Sequence, residues 1–139
     1  MLPSKPVLTL AVAKLIASAA EQEAVTHGWN MVIAIVDDGG HLLHFSRMDG
    51  GLIASVTVAT EKARCAVHFK RTTKVMEEAV AAGRIVLMSI PGAVPVEGGI
   101  PLFAGGHIIG AIGVSGGSAS HDGQAAQAGA DELARILKA

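Results

Sequence analysis

Gly98-Gly99-Ile100-Pro101-Leu102-Phe103-Ala104-Gly105-Gly106-His107-Ile108-Ile109-Gly110-Ala111-Ile112-Gly113-Val114-Ser115-Gly116-Gly117 reads as a strand, a glycine turn, a second strand and a glycine-rich exit. The turn falls at Ala104-Gly105-Gly106. The apolar run Ile108 to Val114 is too short to span a bilayer and is interrupted by Gly110 and Gly113. Glycine inside a strand lets another backbone or a flat ligand come close, because no side chain intervenes. The exit Ser115-Gly116-Gly117-Ser118 leads toward a helix, and free N–H groups at a helix start attract an anion.

A second hairpin lies upstream. Asn30 to Val36 is a strongly apolar strand, Asp37-Asp38-Gly39-Gly40 is its turn, and His41 to Met48 is the return strand. Strict alternation places His41, Leu43, Phe45 and Arg47 on one face of that strand, with Leu42, His44, Ser46 and Met48 on the other. Before it, residues 8–27 carry Leu8, Val12, Leu15, Ile16 and Ala19 at helical spacing, with Thr9 as N-cap and Gly28 as the terminating residue. After it, Asp49-Gly50-Gly51 breaks the strand and Leu52 to Phe69 reads as a long helix. Thr72 or Thr73 caps a short helix running to Ala82. Ile85 to Ile90 reads as a third strand, and Pro91 to Gly99 as a loop. A last helix runs from Gly123 to Lys138 with Asp122 as its cap.

The expected order is α-β-β-α-α-β-β-β-α in one domain spanning residues 1–139. Two hairpins demand antiparallel pairing, and strands do not alternate regularly with helices. The prediction is therefore an α+β fold, with a five-stranded, mostly antiparallel sheet flanked by helices.

Composition narrows the function classes. Half of the residues are hydrophobic and 17% are charged, which argues against disorder. Eleven basic and twelve acidic side chains give a net charge of -1, with no basic stripe for nucleic acid. No apolar run is long enough for a membrane helix. The single cysteine, Cys65, excludes an internal disulfide. The start Met1-Leu2-Pro3-Ser4-Lys5-Pro6 lacks the layout of a secretory leader, so a cytoplasmic address is expected. With Trp29, three Phe and no Tyr, the core must be built from Ala, Val, Ile and Leu. The many small residues permit close helix contacts and suit a homo-oligomer.

Several residues carry chemistry. His41 and His44 point to opposite faces of a strand and make a poor metal pair, so no metal centre is expected. Cys65 and His68, three apart on a helix, share a face that a haem iron could approach; a buried thiol beside a helix-end histidine is the plainer reading. His27 suits a helix C-terminus, while His107 sits beside a hairpin turn and His121 in the glycine-rich exit, each facing either a pocket or solvent. Arg47 can grip a carboxylate or propionate in a bidentate pair. Asp49 caps the following helix or orients Arg47. Ser115, Gly116 and Gly117 offer amide donors to an anion. Glu97, before Gly98-Gly99, is a candidate for acid–base work. The sequence lacks the Gly-Lys-Ser/Thr of a P-loop and the Gly-x-Gly-x-x-Gly dinucleotide fingerprint.

These residues resemble a known family. Val36-Asp37-Asp38-Gly39-Gly40-His41-Leu42-Leu43 followed by Arg47-Met48-Asp49-Gly50 is similar to the first signature of the GlcG/HbpS family. The likeness continues through Ala59-Thr60-Glu61-Lys62-Ala63, Gly98 to Leu102, Gly106 to Gly117, Asp122 and Ala128-Gly129-Ala130. The resemblance implies a profilin-like α/β sandwich around a five-stranded antiparallel sheet, assembly into homo-oligomers, and haem binding.

Three functions follow as expectations. The first is a protein binding haem or a related tetrapyrrole, with His27, His41, His44, His68, His107 or Cys65 on the iron, and Arg47 and the Ser115-Gly116-Gly117 exit on the propionates. The second is a cytoplasmic catabolic enzyme for a small oxo- or hydroxy-carboxylic acid. In it Arg47 anchors the carboxylate, the glycine-rich exit stabilises oxyanion charge, and Asp49 or Glu97 moves a proton. The third is a non-catalytic accessory subunit. The first two share one geometric requirement, that Arg47 and Gly116-Gly117 open onto a common cavity.

Overall fold

Thr9 starts the first helix by accepting a 3.3 Å hydrogen bond from Val12 N–H at its hydroxyl. In the computed structural model, which describes residues 1–139, this helix is α1, Leu10–His27. Gly28 ends it in the left-handed conformation, at φ 73°, with its N–H turned back to the carbonyls of Ala24 and Val25. The buried stripe consists of Ala13, Ile16, Ala17, Ala20 and Ala24, whereas Leu15 faces outward. Bulky residues thus yield the inner face to small ones, because another helix lies close against it.

The remaining elements are β1 (Val32–Asp37), β2 (Leu42–Arg47), α2 (Ala54–Phe69), α3 (Thr73–Ala81), a 3-10 helix (Ile85–Ser89), β3 (Gly99–Ala104), β4 (His107–Ser115) and α4 (Ala119–Lys138). The sheet is antiparallel throughout, in the order β2-β1-β4-β3. It has four strands and not the five expected. The run Ile85–Ile90, read as a strand, bonds locally instead: Leu87 N–H donates to the Arg84 carbonyl and Ile90 N–H to that of Leu87, both at 3.3 Å. A short continuous apolar run has no alternation to distinguish strand from helix. None of its side chains is buried, so no sheet face recruits it.

Alternating side chains of β1 feed two cores. Ile33 and Ile35 join Ile112, Val114, Ile16, Ala126 and Leu133 under α1 and α4. Val32, Ala34 and Val36 face α2 through Ala59, Ala63 and Ala66. A bulge departs from strict alternation in β2. Ile35 pairs with His44 and Val36 with Leu42, which leaves Leu43 unpaired. Leu43 packs on the larger core and Phe45 on the opposite side, so these two do not share a face.

Gly113 explains how α2 reaches the sheet. A Cβ there would collide with the Ala59 carbonyl and come within 2.6 Å of Ala63 N. The close approach foreseen for the two glycines of this strand is therefore made at Gly113 by a helix backbone, and at Gly110 by the Val36 carbonyl of β1 and the Leu8 side chain. No helix is long and apolar enough to cross a membrane.

Candidate functional site

The glycine-rich exit is occupied by the chain itself. Gly117 N–H donates to Asp122 Oδ1 at 2.8 Å, and the other oxygen, Oδ2, accepts from Lys62 Nζ at 3.0 Å. Lys62 Nζ also donates to the Val114 carbonyl at 3.0 Å. The side chains are 1% and 4% exposed, which makes this a buried ion pair joining α2 to α4 across the end of β4. Burial raises the pKa of Asp122, opposed by the amides of Gly117 and Gly116 and by Lys62. Asp122 is not the helix cap that its position suggested. Ser118 is the cap, its hydroxyl accepting from His121 N–H at 3.3 Å, and α4 begins four residues earlier than expected.

Arg47 and Asp49 stand apart from this pair. Arg47 is exposed, opposite Val32 in the sheet, and Val32 in turn faces Ser115 across β4. No ion pair or hydrogen bond joins Arg47 to Asp49, and α2 has no side-chain cap. Ser115 is buried, with its hydroxyl donating to Ser55 Oγ at 3.2 Å. None of the four cavities is lined by Arg47, Asp49 or residues 115–117. The shared opening expected for Arg47 and Gly116-Gly117 is absent from the single chain, because an internal carboxylate fills the loop that was to receive an anion.

The histidines divide between the two ends of the fold. Trp29 is sandwiched between His27 and His121, with ring centroids 4.4 and 4.2 Å away. His27 Nε2 also lies 2.8 Å from Glu23 Oε1 and 3.1 Å from Gln124 Nε2. This stack fastens the end of α1 to the start of α4. His41 and His68 both meet the β1–β2 turn, where His68 Nε2 is 3.1 Å from the Gly39 carbonyl oxygen. His44 is half-buried opposite Ile35. Cys65 is buried against Met76 Sδ, accepts from Val94 N–H at 3.3 Å, and has its thiol pKa raised by that burial. The i,i+3 spacing of Cys65 and His68 does not bring them to a common opening, since one is sealed inside and the other faces solvent. No cluster of three or more His, Cys, Asp or Glu side chains is arranged to hold a metal ion.

His107 differs from the other five. It lines the largest cavity, 480 Å³, beside Lys5, Val67, Lys70, Phe103 and Ile108. Lys5 bonds Asp38 at the rim, and that hydrogen bond lowers the Asp38 pKa. Phe103, 52% exposed, also borders an adjacent cavity of 380 Å³ that runs along β3 to Leu133 and Ala134 of α4. The two share Lys70 and Phe103 and form a groove whose lining mixes apolar side chains with one imidazole, the bases Lys5, Lys70 and Arg71, and the acids Asp38 and Asp131. Glu97 lines a separate polar cavity of 290 Å³, so the three expected acid–base and anchoring residues, Arg47, Asp49 and Glu97, are not gathered at one place.

Sequence reasoning passed over Lys62. The signal was present: Lys62 sits one residue before Ala63 and three after Ala59, on the apolar face of α2. A charge on such a stripe requires a buried partner.

The family model described as "Haem degrading protein HbpS-like" matches residues 8–131. The chain is 42% identical over 112 residues to Protein GlcG of Escherichia coli K12, covering 81% of this chain and 84% of that one. The crystal structure of a double mutant of HbpS from Streptomyces reticuli superposes with a TM-score of 0.84 at 35% identity, covering 94% of this chain and 89% of that one. The structure described as a PduOC:haem complex superposes with a TM-score of 0.83 at 28% identity, covering 91% and 95%. The four-stranded antiparallel sheet, its flanking helices and the match over most of the sequence agree: this chain belongs to the HbpS-like family.

Proposed function

We propose that this protein binds haem or a related tetrapyrrole in the groove along β3, with His107 on the iron. The observation that carries this reading is the position of His107: of six histidines, it alone lines a cavity. The residues present fit the group. Val67, Phe103 and Ile108 would offer apolar contact to a macrocycle, and Lys70 would offer a propionate a cation, while Lys5 is held by Asp38 at the rim. In this reading the propionate role expected of Arg47, Ser115, Gly116 and Gly117 passes to Lys70. Haem, when bound, supplies a redox-active iron; the chain orients it, screens one face from water and tunes it through the imidazole. The haem complex of a structural neighbour supports the same reading.

Titration with haemin tests it. A saturable Soret change is expected, lost in His107→Ala and weakened in Lys70→Ala. An absence of saturation, or a His107→Ala spectrum identical to the parent's, rejects the assignment. The chain also self-associates in this reading, through apolar side chains that the single copy leaves uncovered.

A further inference from the structure

The 290 Å³ cavity lies between the start of α3, the segment Glu97–Ile100 and the first half of α4. Its volume is near the lower end of the roughly 300–1,000 Å³ typical of small-molecule sites. Gly98 and Gly99 form part of its lining, and Ile100 is its only hydrophobic residue. Gly123, the fifth residue of α4, also contributes. A Cβ at Gly123 would come within 2.6 Å of the Glu97 carboxyl carbon and collide with its Oε2. Glycine inside a helix is less favourable than alanine. Here the bare backbone gives the Glu97 carboxylate its seat.

That carboxylate has no partner in the protein. Glu97 N–H donates to Glu77 Oε1 at 3.0 Å, but the Glu97 side chain makes no hydrogen bond and no ion pair. The two glutamines of the lining have their amide nitrogens engaged elsewhere. Gln127 Nε2 donates to Asp131 Oδ1 at 2.8 Å, and Gln124 Nε2 lies 3.4 Å from Glu23 Oε1 and 3.1 Å from His27 Nε2. Both glutamines are exposed, and their carbonyl oxygens accept no hydrogen bond from the chain, which leaves them open to a ligand's donors. Lys74 is the one cation of the lining, and Glu78 lies 3.9 Å from it. Of the two charges in the lining, Lys74 faces Glu78 and Glu97 is left without an ion-pair partner.

We infer that this cavity is a binding site for a small organic ammonium compound, whose N–H donors pair with Glu97 and the carbonyl oxygens of Gln124 and Gln127. Ser120 and Thr72 supply hydroxyls for a polar group on the same ligand, and Ile100 contacts its short carbon chain. The site uses none of the residues assigned to the iron or the propionates, so it stands independently of the haem reading.

Isothermal titration of the full chain with ethanolamine and with 1,4-diaminobutane tests it, with ethylene glycol and calcium chloride as controls. Saturable binding of at least one amine is expected at millimolar concentration. Glu97→Gln, which keeps the shape and removes the charge, should weaken that binding about tenfold or more, since a hydrogen bond to an ionised group contributes roughly 1.5–3 kcal/mol. Gln127→Met should weaken it as well, and haemin titration of Glu97→Gln should match the parent. The proposal is overturned if neither amine binds, if Glu97→Gln binds the amine as the parent does, or if ethylene glycol or calcium binds as tightly.

Discussion

Lys62 and Asp122 show how one buried charge organises its surroundings. The ammonium ties the end of β4 to α2 through Val114, and the carboxylate ties the glycine loop to α4 through Gly117. Removing one partner leaves the other charged and desolvated. Lys62→Ala should therefore destabilise the fold by about 3–5 kcal/mol in chemical denaturation, whereas Lys62→Met combined with Asp122→Leu should recover most of that loss. Equal losses in the single and double variants would refute a pairing role. The sequence made Asp122 visible but not its task, since an Asp between a glycine-rich loop and a helix has the pattern of a cap. Its partner lies 60 residues away. That separation is why the glycine loop read as an open anion site, and why Arg47 was assigned a neighbour it does not have. Gly98, Gly99 and Ile100 beside Glu97 were in view in the sequence, but the rest of its cavity comes from residues 72–74 and 120–127, which spacing along the chain does not bring together.

At the level of elements, local chemistry was readable where it acted locally. Thr9, Gly28 and Thr72 cap their helices as expected, and both hairpins form. The error at Ile85–Ile90 arose because an apolar run predicts burial, and this one is not buried by the chain that carries it. The glycines of β4 were seen as sites of close approach, but the approaching group could not be named from spacing alone. At Gly113 helix α2 fills that role, and its seat is rigid because the obstruction there is backbone; at Gly110 the Val36 carbonyl of β1 does so. Gly113→Ala should thus lower stability by about 3 kcal/mol, at the upper end of the usual overpacking range. Gly129→Ala should cost less, since the added carbon meets the Ile112 Cδ1 side-chain atom at 2.7 Å and the Ile16 carbonyl oxygen only at 3.1 Å, and alanine favours the helix. Thermal unfolding of the two variants side by side checks this order; a Gly129→Ala loss as large as that of Gly113→Ala would contradict it.

For the whole molecule, the question is what lies against the apolar side chains left in water. Ile85 is 70% exposed and Met88 67%, and both belong to a 3-10 helix with no buried residue. The intrachain core gains nothing from these side chains, yet solvating them is unfavourable by about 25 cal/mol for each Å² of apolar surface. In the proposed self-association a second copy of the chain would cover them. Sedimentation velocity of the parent protein should then show an assembly. The double variant Ile85→Glu, Met88→Glu should shift it toward the monomer while leaving circular dichroism unchanged, because neither side chain supports the fold. The same variant should retain the haemin response, since His107, Lys70 and Phe103 all lie within one chain. A parent protein that sediments as a monomer at micromolar concentration would remove self-association from the proposed function. A haemin response lost together with the assembly would instead move the tetrapyrrole site from the groove of one subunit to the contact between two.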